Sequence, residues 1–504
     1  MTHAATDPSA SLNLDDALAD IGGYVVQQRW SGAAGRDVRE VRIVDSVLLR
    51  EADPVLLFCV VQVTFADGAS VRYALPLGIR APEDPLAERL PDYMIGRVGS
   101  GGAARLVYDA VGDAVYVQWC WRAMRDSVAV GTAGARLSGR LFAAGALLEI
   151  DEPSVRILSV EQSNTSMVLE EAFFFKHLRR IEDAPSPELE MARVLSRAGF
   201  EHAVPVLAAV TYESPGSSAP VVLLQPFLHN AAEGWALALT SLRDLYADAE
   251  EHAPESTRDV HITVDDQGGA FVAEAGRLGA VTAELHLALA TPALGPGFEP
   301  QPIDAATLDS WATSMRSDLD ALLTDTSPTL DPLRDVRGAL QQRFDALREL
   351  PPEGLRIRVH GDLHLGQMLR VGAGWMVLDF EGEPNRTPLE RRELSSPLRD
   401  VAGMLRSFDY AAAVALAERA RPDSDEWEQM MVYGDTWAVA NRDAFWSAYL
   451  ERMNGSSLLP SSRSLMVVRR AFEVHKAVYE VGYELSHRPI WVSIPMRFLL
   501  RGVT

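Results

Sequence analysis

Cysteine is nearly absent from this chain. Cys59 and Cys120 are the only two in 504 residues, each set among apolar neighbours, so they read as buried thiols in a reducing compartment. No paired-cysteine spacing of the zinc type exists, which removes structural zinc modules from consideration. No run approaches the roughly 18 uninterrupted apolar residues of a membrane-spanning helix. The opening MTHAATDPSASLN has neither a basic start nor an apolar centre, so no secretory leader is expected and a cytoplasmic location is. Positive charge is also short: 47 basic residues against 70 acidic ones leave −23. A field of that sign opposes binding to nucleic acid or an anionic membrane, while still allowing a local basic pocket for a phosphorylated ligand.

Apolar material is plentiful. Hydrophobic residues make up 47% of a chain longer than one core comfortably serves, which predicts two or three domains or lobes. Residues 1–13 are polar and read as a flexible terminus. Strand-like runs follow in VREVRIVDSVLL, VLLFCVVQVTF and SVRYALPLGI, with a hairpin turn at Asp67-Gly68 between the last two. Residues 14–108 thus read as an antiparallel sheet with one helix. Residues 109–230 read as a second β-rich lobe, in which AVYVQWCWRAM is expected as strand and Val155–Ile181 as strand, tight turn, strand. PSPELEMARVLSRAGF has the proline start, acidic first turn and terminal glycine of a capped helix. VPVLAAVTY and PVVLLQPFL pair around ESPGSSAP. From residue 231 to 504 apolar residues recur at helical spacing, so the expected class is α+β, with a β-rich first half and a helical second half as two lobes around a cleft.

One stretch carries unusual chemistry: VHGDLHLGQMLRVGAGWMVLDFEGEP, from Val359 to Pro384. Asp362 is followed five positions later by Gln367, and Asp379 ends the apolar run WMVLD. Phosphoryl transfer needs a carboxylate at the attacking hydroxyl, oxygen ligands for Mg²⁺ on the nucleotide, and a cation on the phosphates. Kinase catalytic loops space these groups in the same order. Asp362 is read as the base and Gln367 and Asp379 as metal ligands, with Phe380 where an aromatic follows the metal-binding aspartate and Glu381 where glycine would stand. The competing reading is a dinuclear metal hydrolase built on His360, Asp362 and His364, which lacks further paired ligands. His286, in AELHLALA, reads as a packed core histidine.

HGDLHLGQML, VLDFEGEP and SPLRDVAGMLRSFDYAA, together with QQRW, YALPLGIR, EQSNTS, GRLGAVTAELHLALA and KAVYEVGYELSHRPIW, resemble segments of the actinobacterial maltokinases in the family's order. These are aminoglycoside-phosphotransferase-like sugar kinases, and the likeness spans nearly the whole chain. It implies a kinase-like fold and ATP- and Mg²⁺-dependent phosphorylation of maltose at its anomeric hydroxyl. The product, maltose 1-phosphate, feeds α-glucan synthesis from trehalose, with a trehalose synthase as a partner. The nearest alternative is a kinase for glucosamine or glucose. On the nucleotide side, EQSNTS supplies Ser163, Asn164, Thr165 and Ser166 as a phosphate-cradling turn, although it lacks the glycines of a protein-kinase loop. Lys176, at the end of AFFFK, is the expected phosphate lysine, with Glu190 as its helix partner and Glu188 as the rival. LLQPFL is the expected hinge, so Gln225, Phe227 and Leu228 are candidates to meet adenine; Pro226 removes one donor. Lys476, Tyr479 and Tyr483, spaced by three and four residues, share a helix face suited to a sugar, and His360 is placed with them. Asp409, Tyr410 and Trp437 form the fallback sugar site.

Overall fold

Strand periodicity decides the first half of the chain. Along Val55–Phe65, Leu57, Cys59, Val61 and Val63 enter one apolar cluster, while Leu56, Phe58 and Val60 enter another. Side chains alternate across a strand, so this one forms the wall between two cores and must be apolar on both faces. The computed structural model describes residues 14–33, 35–99, 104–132, 134–143, 149–158, 164–182, 184–251, 257–292, 294–383, 386–422 and 424–501. The chain divides into two compact units, Met1–Arg193 with Val204–Leu228, and Val194–Ala203 with His229–Thr504.

Among the described residues the first unit contains two antiparallel sheets. In one, Val38–Arg50, Val55–Phe65 and Ser70–Arg80 lie in sequence order, then Arg105–Asp109 and Met94–Val98; Arg180–Ile181 also pairs with Ser70–Arg80. The Asp67-Gly68 turn forms as expected: Gly68 has φ +87° and Asp67 accepts the Ala69 amide at 2.9 Å. The helix Leu18–Gln27 buries Ile21, Tyr24 and Val25 in the cluster holding Cys59. Both cysteines are fully buried, and burial pushes each thiol up to about 12, so neither is reactive.

Among the described residues the second sheet has seven strands. Its centre is Arg136–Leu141, Ala208–Ser214, Ser217–Pro226, Phe173–Leu178 and Asn164–Leu169. Two expectations change here. The segment read as strand, AVYVQWCWRAM, is the helix Ala114–Arg125. Asp113 caps it through the Val115 amide at 3.0 Å, and Tyr116, Val117, Cys120, Trp121 and Met124 form one buried stripe. The valines and aromatics carry strand propensity, but the cap and the period of the buried residues prevail. The turn expected at EQSNTS also differs in part: Val155–Ile157 and Asn164–Leu169 pair antiparallel on either side of it, with Asn164, Thr165 and Ser166 already within the second strand, which Glu170 and Glu171, both at positive φ, join to Phe173–Leu178. Ser163 lies outside the described residues.

The second unit is mostly helical. Its long helices are Gly234–Glu251, Thr257–Leu289, Ala305–Leu322, Leu398–Arg419, Asp425–Met453 and Ser462–His487. Thr257–Leu289 packs closely along Asp425–Met453 at Gly279, where a Cβ would come within 2.1 Å of the Phe445 carbonyl oxygen. Trp437 stacks on Phe271 at 5.4 Å, fully buried, so it belongs to this core and not to a sugar site. A small sheet of Ala232–Glu233, Met368–Val371 and Gly374–Val377 carries the chain between the chemically loaded positions. No described helix is long and apolar enough to cross a membrane.

Candidate active site

The loop bearing Asp362 is held by its backbone. Asp400, in the first turn of Leu398–Arg419, accepts the amides of His360 at 2.7 Å and Gly361 at 2.8 Å. Gly361 has φ +87°, which turns its amide to the same carboxylate as its neighbour's. Asp400 is buried beside His286, whose Nε2 lies 3.2 Å from it and whose Nδ1 meets the Tyr449 hydroxyl at 3.0 Å. Burial pushes the Asp400 carboxyl up, but His286, His360 and the Gly361 amide overrule it and hold it below the usual carboxylate range. His286 is thus packed in the core, as its sequence context indicated, and braces the loop through Asp400. Farther on, Leu365 donates its amide to Ser407 Oγ at 3.2 Å. Gly403 lets the same helix approach: a Cβ there would sit 2.5 Å from the Leu363 carbonyl oxygen. Gly403→Ala should therefore displace the loop and reduce turnover more than it lowers the melting temperature. Overpacking costs about 1–3 kcal/mol, but a small shift of a catalytic group is felt far more strongly in rate. Steady-state kinetics beside thermal unfolding checks this, and a loss of stability with unchanged turnover per folded molecule would contradict it.

Asp379 is brought back to this loop. Gln367 donates its side-chain amide to Asp379 Oδ2 at 3.2 Å, and its backbone carbonyl accepts the Leu378 amide at 2.9 Å. Asp379 has φ +56°, in the left-handed region. Such a conformation at a non-glycine residue costs about 1 kcal/mol or more and clusters at functional sites. The amide and carboxylate together offer hard oxygen donors of the kind Mg²⁺ takes alongside nucleotide phosphates, so the residues fit that ion. Asp379→Ala should abolish the Mg²⁺-dependent gain in ATP affinity. Nucleotide titration with and without Mg²⁺ reads this, and an unchanged gain would remove Asp379 from the metal site.

His360 is not where a sugar ligand would be. It is 2% exposed; Nδ1 accepts the Asp362 amide at 3.3 Å and Nε2 donates to the Leu378 carbonyl at 2.7 Å. Phe380 packs against its ring at 5.0 Å. The imidazole therefore ties the Asp362 loop to the strand end carrying Asp379, which corrects its expected place among the sugar contacts. The hydrolase arrangement also fails: among the described residues His360, Asp362 and His364 do not converge as a ligand group, and His364 Nδ1 accepts the Gly366 amide at 3.0 Å.

The third chemical group comes from the helix Ser462–His487. Lys476 Nζ lies 2.9 Å from Asp362 Oδ1 and 2.8 Å from Glu383 Oε1. Glu383 also takes Arg386 at 2.7 Å and Arg399 at 2.8 Å. Burial pushes Asp362 up, yet Lys476 and then His364 hold it below the usual carboxylate range; Lys476 is raised in turn by Asp362 and Glu383 against the effect of its own burial. Lys476 also stands 4.8 Å over the Tyr479 ring, and Tyr479 stacks with Tyr483 at 6.3 Å. All three line a cleft of ≈ 400 Å³ together with Asp362, Trp235 and Trp491. Tyr410 lines it too, whereas Asp409 is bound by Arg406 and Arg442, so the fallback trio is not one site.

In the β-rich unit, Lys176 lies inside Phe173–Leu178 and not at its end, with Phe173 and Phe175 directed to the opposite face. It is buried and pairs with Glu188 at 2.9 Å. The expected partner was Glu190. Glu188 and Ala192 share a stripe of the helix Pro187–Arg197, and Ala192 packs against this face of the sheet through Ala209 and Leu223; two residues of helix turn Glu190 away. In the segment expected as the hinge, the Phe227 amide already donates to the Ala172 carbonyl at 2.8 Å, which takes it out of the expected adenine contacts, and Gln225 stands in the ladder opposite Phe174. Leu228 remains.

Asp400, Glu383, Trp235 and Trp491 had no assigned role in the sequence. Asp400 and Glu383 stood within the motif segments, but an acidic residue in a first helical turn, or after a turn glycine, has an ordinary explanation. The partners that decide their roles, His360 and His286 for Asp400 and Lys476 for Glu383, lie forty or more residues away.

Residues 24–113 match the maltokinase N-terminal cap domain. The chain is 29% identical over 352 residues to a glucosamine kinase of Streptacidiphilus jiangxiensis, covering 68% of this chain and 71% of that one. It is 28% identical over 349 residues to a glucosamine kinase of Mycolicibacterium smegmatis (strain ATCC 700084 / mc(2)155), covering 68% and 77%. Among solved structures, a glucosamine kinase in complex with glucosamine, ADP and inorganic phosphate superimposes with a TM-score of 0.63 at 22% identity, covering 99% of this chain and 98% of that one. Crystal form B of a glucosamine kinase gives 0.64 at 22% identity, covering 98% and 96%. Residues 24–113 thus match a maltokinase N-terminal cap, and the chain as a whole has the kinase fold of the solved glucosamine kinases.

Proposed function

We propose that this protein is an ATP-dependent sugar kinase that phosphorylates maltose at its anomeric hydroxyl, giving maltose 1-phosphate and ADP. The observation that carries the reading is the pairing of Asp362 with Lys476 in an aromatic-walled cleft. Asp362 orients the sugar hydroxyl and accepts its proton as that oxygen bonds to the γ-phosphorus and the bond to ADP breaks. Its lowered pKa makes it a weak base, which suits a loose phosphoryl-transfer transition state in which positioning matters more than early deprotonation. Mg²⁺, when bound, neutralises charge on the phosphates; Gln367 and Asp379 are the residues that would hold it. In the β-rich unit, Lys176, oriented by Glu188, is the cation for the phosphates, and Leu228 is the hinge donor to adenine.

Tyr479, Tyr483, Trp235 and Trp491 suit sugar rings, whose C–H faces cover aromatic surfaces while hydroxyls reach polar atoms. Tyr479→Phe should raise the KM for maltose several-fold with that for ATP unchanged, because one neutral hydrogen bond contributes about 0.5–1.5 kcal/mol. Unaltered maltose kinetics would move the sugar away from this helix.

Glucosamine is the second reading, favoured by the names of the relatives and by the acidic residues Glu480 and Glu484 in the same cleft. Those carboxylates are already engaged: Glu480 takes Arg406 at 2.8 Å, and Glu484 takes Arg488 at 2.8 Å. Lys476 neutralises Asp362 and Glu383 and repels an ammonium group. The cleft therefore favours a neutral sugar. Initial rates of ADP release with each sugar test this. Mg²⁺-dependent release stimulated by maltose and not by glucosamine is expected, and the reverse preference would overturn the assignment.

A further inference from the structure

A second cavity, of ≈ 270 Å³, opens in the helical unit beside Leu398–Arg419, Asp425–Met453 and the short helix Ser493–Arg501. Arg406, Arg442, Arg470, Arg497 and Arg501 line it, against two carboxylates, Asp409 and Asp435. In a chain with 47 basic and 70 acidic residues this is a local inversion of charge. Each lining carboxylate is shared. Asp409 Oδ2 accepts from Arg406 and Arg442, both at 3.0 Å. Asp435 Oδ2 accepts from Arg497 at 2.7 Å and Arg501 at 3.0 Å. Behind the wall, Glu480 takes Arg406 at 2.8 Å; Glu473 takes Arg442 at 2.6 Å and Arg469 at 3.1 Å, and lies 3.9 Å from Arg470. With these included, the guanidinium groups among the described residues still outnumber the carboxylates. Burial holds Arg470 and Arg497 below the usual arginine range, against the raising effect of Glu473 on the first and Asp435 on the second.

The shape is as specific as the charge. Arg406 and Arg470 lie over the Phe498 ring, at 4.2 Å and 4.8 Å from its centroid. Ala412, Leu416 and Ala438 supply an apolar floor. Planar guanidiniums fixed on an aromatic present paired N–H groups, the geometry that matches phosphate oxygens. The volume is at the small end of ligand pockets and suits one phosphate with a sugar-sized body better than a nucleotide.

We propose that this cavity binds a phosphomonoester of monosaccharide size, at an effector site separate from the cleft that holds Asp362. Arg406 gives it a route to that cleft. The same guanidinium contacts Asp409 in the cavity and Glu480, which lines the cleft with Lys476. A phosphate that draws Arg406 toward the cavity weakens its hold on Glu480 and changes the charge facing Lys476.

Calorimetric titration of the full chain with glucose 6-phosphate, with glucose as the uncharged control, tests the site. Saturable binding of the ester and none of glucose at the same millimolar concentration is expected. Arg497→Gln should weaken that binding by about tenfold or more, the scale of a lost charge-assisted contact, while Asp362→Asn leaves it unchanged. With the ester present, the KM for the sugar acceptor should shift and that for ATP should not. If Arg497→Gln fails to fold by circular dichroism, Arg501→Gln carries the same test, its side chain being 56% exposed. Absence of binding, binding undiminished in these variants, complete competitive displacement by Mg·ATP or maltose, or equal affinity for inorganic phosphate would each overturn the proposal.

Discussion

Asp362→Asn should keep the chain folded and able to bind nucleotide while turnover falls by about 10²–10⁴-fold, the usual contribution of a positioned general base. The loop around Asp362 does not depend on that side chain for its shape. Asp400 holds the His360 and Gly361 amides, the His360 ring reaches Leu378, and Ser407 holds Leu365. An amide in place of the carboxylate preserves volume and can still hydrogen-bond the sugar hydroxyl, but it cannot take the proton. It also leaves Lys476 with Glu383 as its remaining anionic partner, so the lysine's position is largely preserved. Single-turnover kinetics beside nucleotide titration separates the two effects. Retention of more than a tenth of wild-type turnover would contradict the role given to Asp362.

Removing Lys476 should be nearly as costly, for a different reason. Lys476→Ala leaves Asp362 and Glu383 facing each other without their shared cation. Losing one partner of a buried pair costs about 3–5 kcal/mol, and the low end applies because the side chains of Lys476 and Asp362 keep 17% and 20% of their exposure. Arg386 and Arg399 still serve Glu383, so the larger change falls on Asp362. With Lys476 present, that carboxyl ionises below the usual carboxylate range. Without it, burial and Glu383 both push the pKa up, with His364 the remaining opposing group. The acid limb of the turnover profile should therefore move to higher pH, and the KM for maltose should rise more than it does in Tyr479→Phe. An unmoved acid limb with unchanged maltose KM would show that Lys476 neither tunes Asp362 nor meets the sugar.

The sequence showed the chemistry of this site more readily than its scaffolding. Asp362, Gln367 and Asp379 lie within eighteen residues of one another, and local order alone suggested their grouping. The Lys476–Tyr479–Tyr483 face followed from helical spacing, and the structure places all three in one cleft with Asp362. What local order could not show was which charge each group meets. The pairing of Lys476 with Asp362 spans more than a hundred positions, as does the brace from His286 to Asp400. His360 was misplaced because a histidine beside a catalytic aspartate serves equally well as ligand or tie; only the Leu378 carbonyl at 2.7 Å decides. Glu188 and Glu190 could not be separated without knowing which face of their helix meets the sheet. The helix Ala114–Arg125 was missed because its valines and aromatics favour strand, although Asp113 and the spacing of Tyr116, Cys120 and Met124 carried the contrary signal.

The central claim is that Asp362 directs phosphoryl transfer to the anomeric oxygen of a neutral disaccharide. Phosphorus NMR of the product formed from ATP, Mg²⁺ and an equimolar mixture of maltose and glucosamine tests it most directly. The account predicts a single new phosphomonoester signal, coupled to an anomeric proton and traced to maltose, and no such signal with Asp362→Asn. A signal coupled to the C6 protons of glucosamine, with maltose left unchanged, would contradict it.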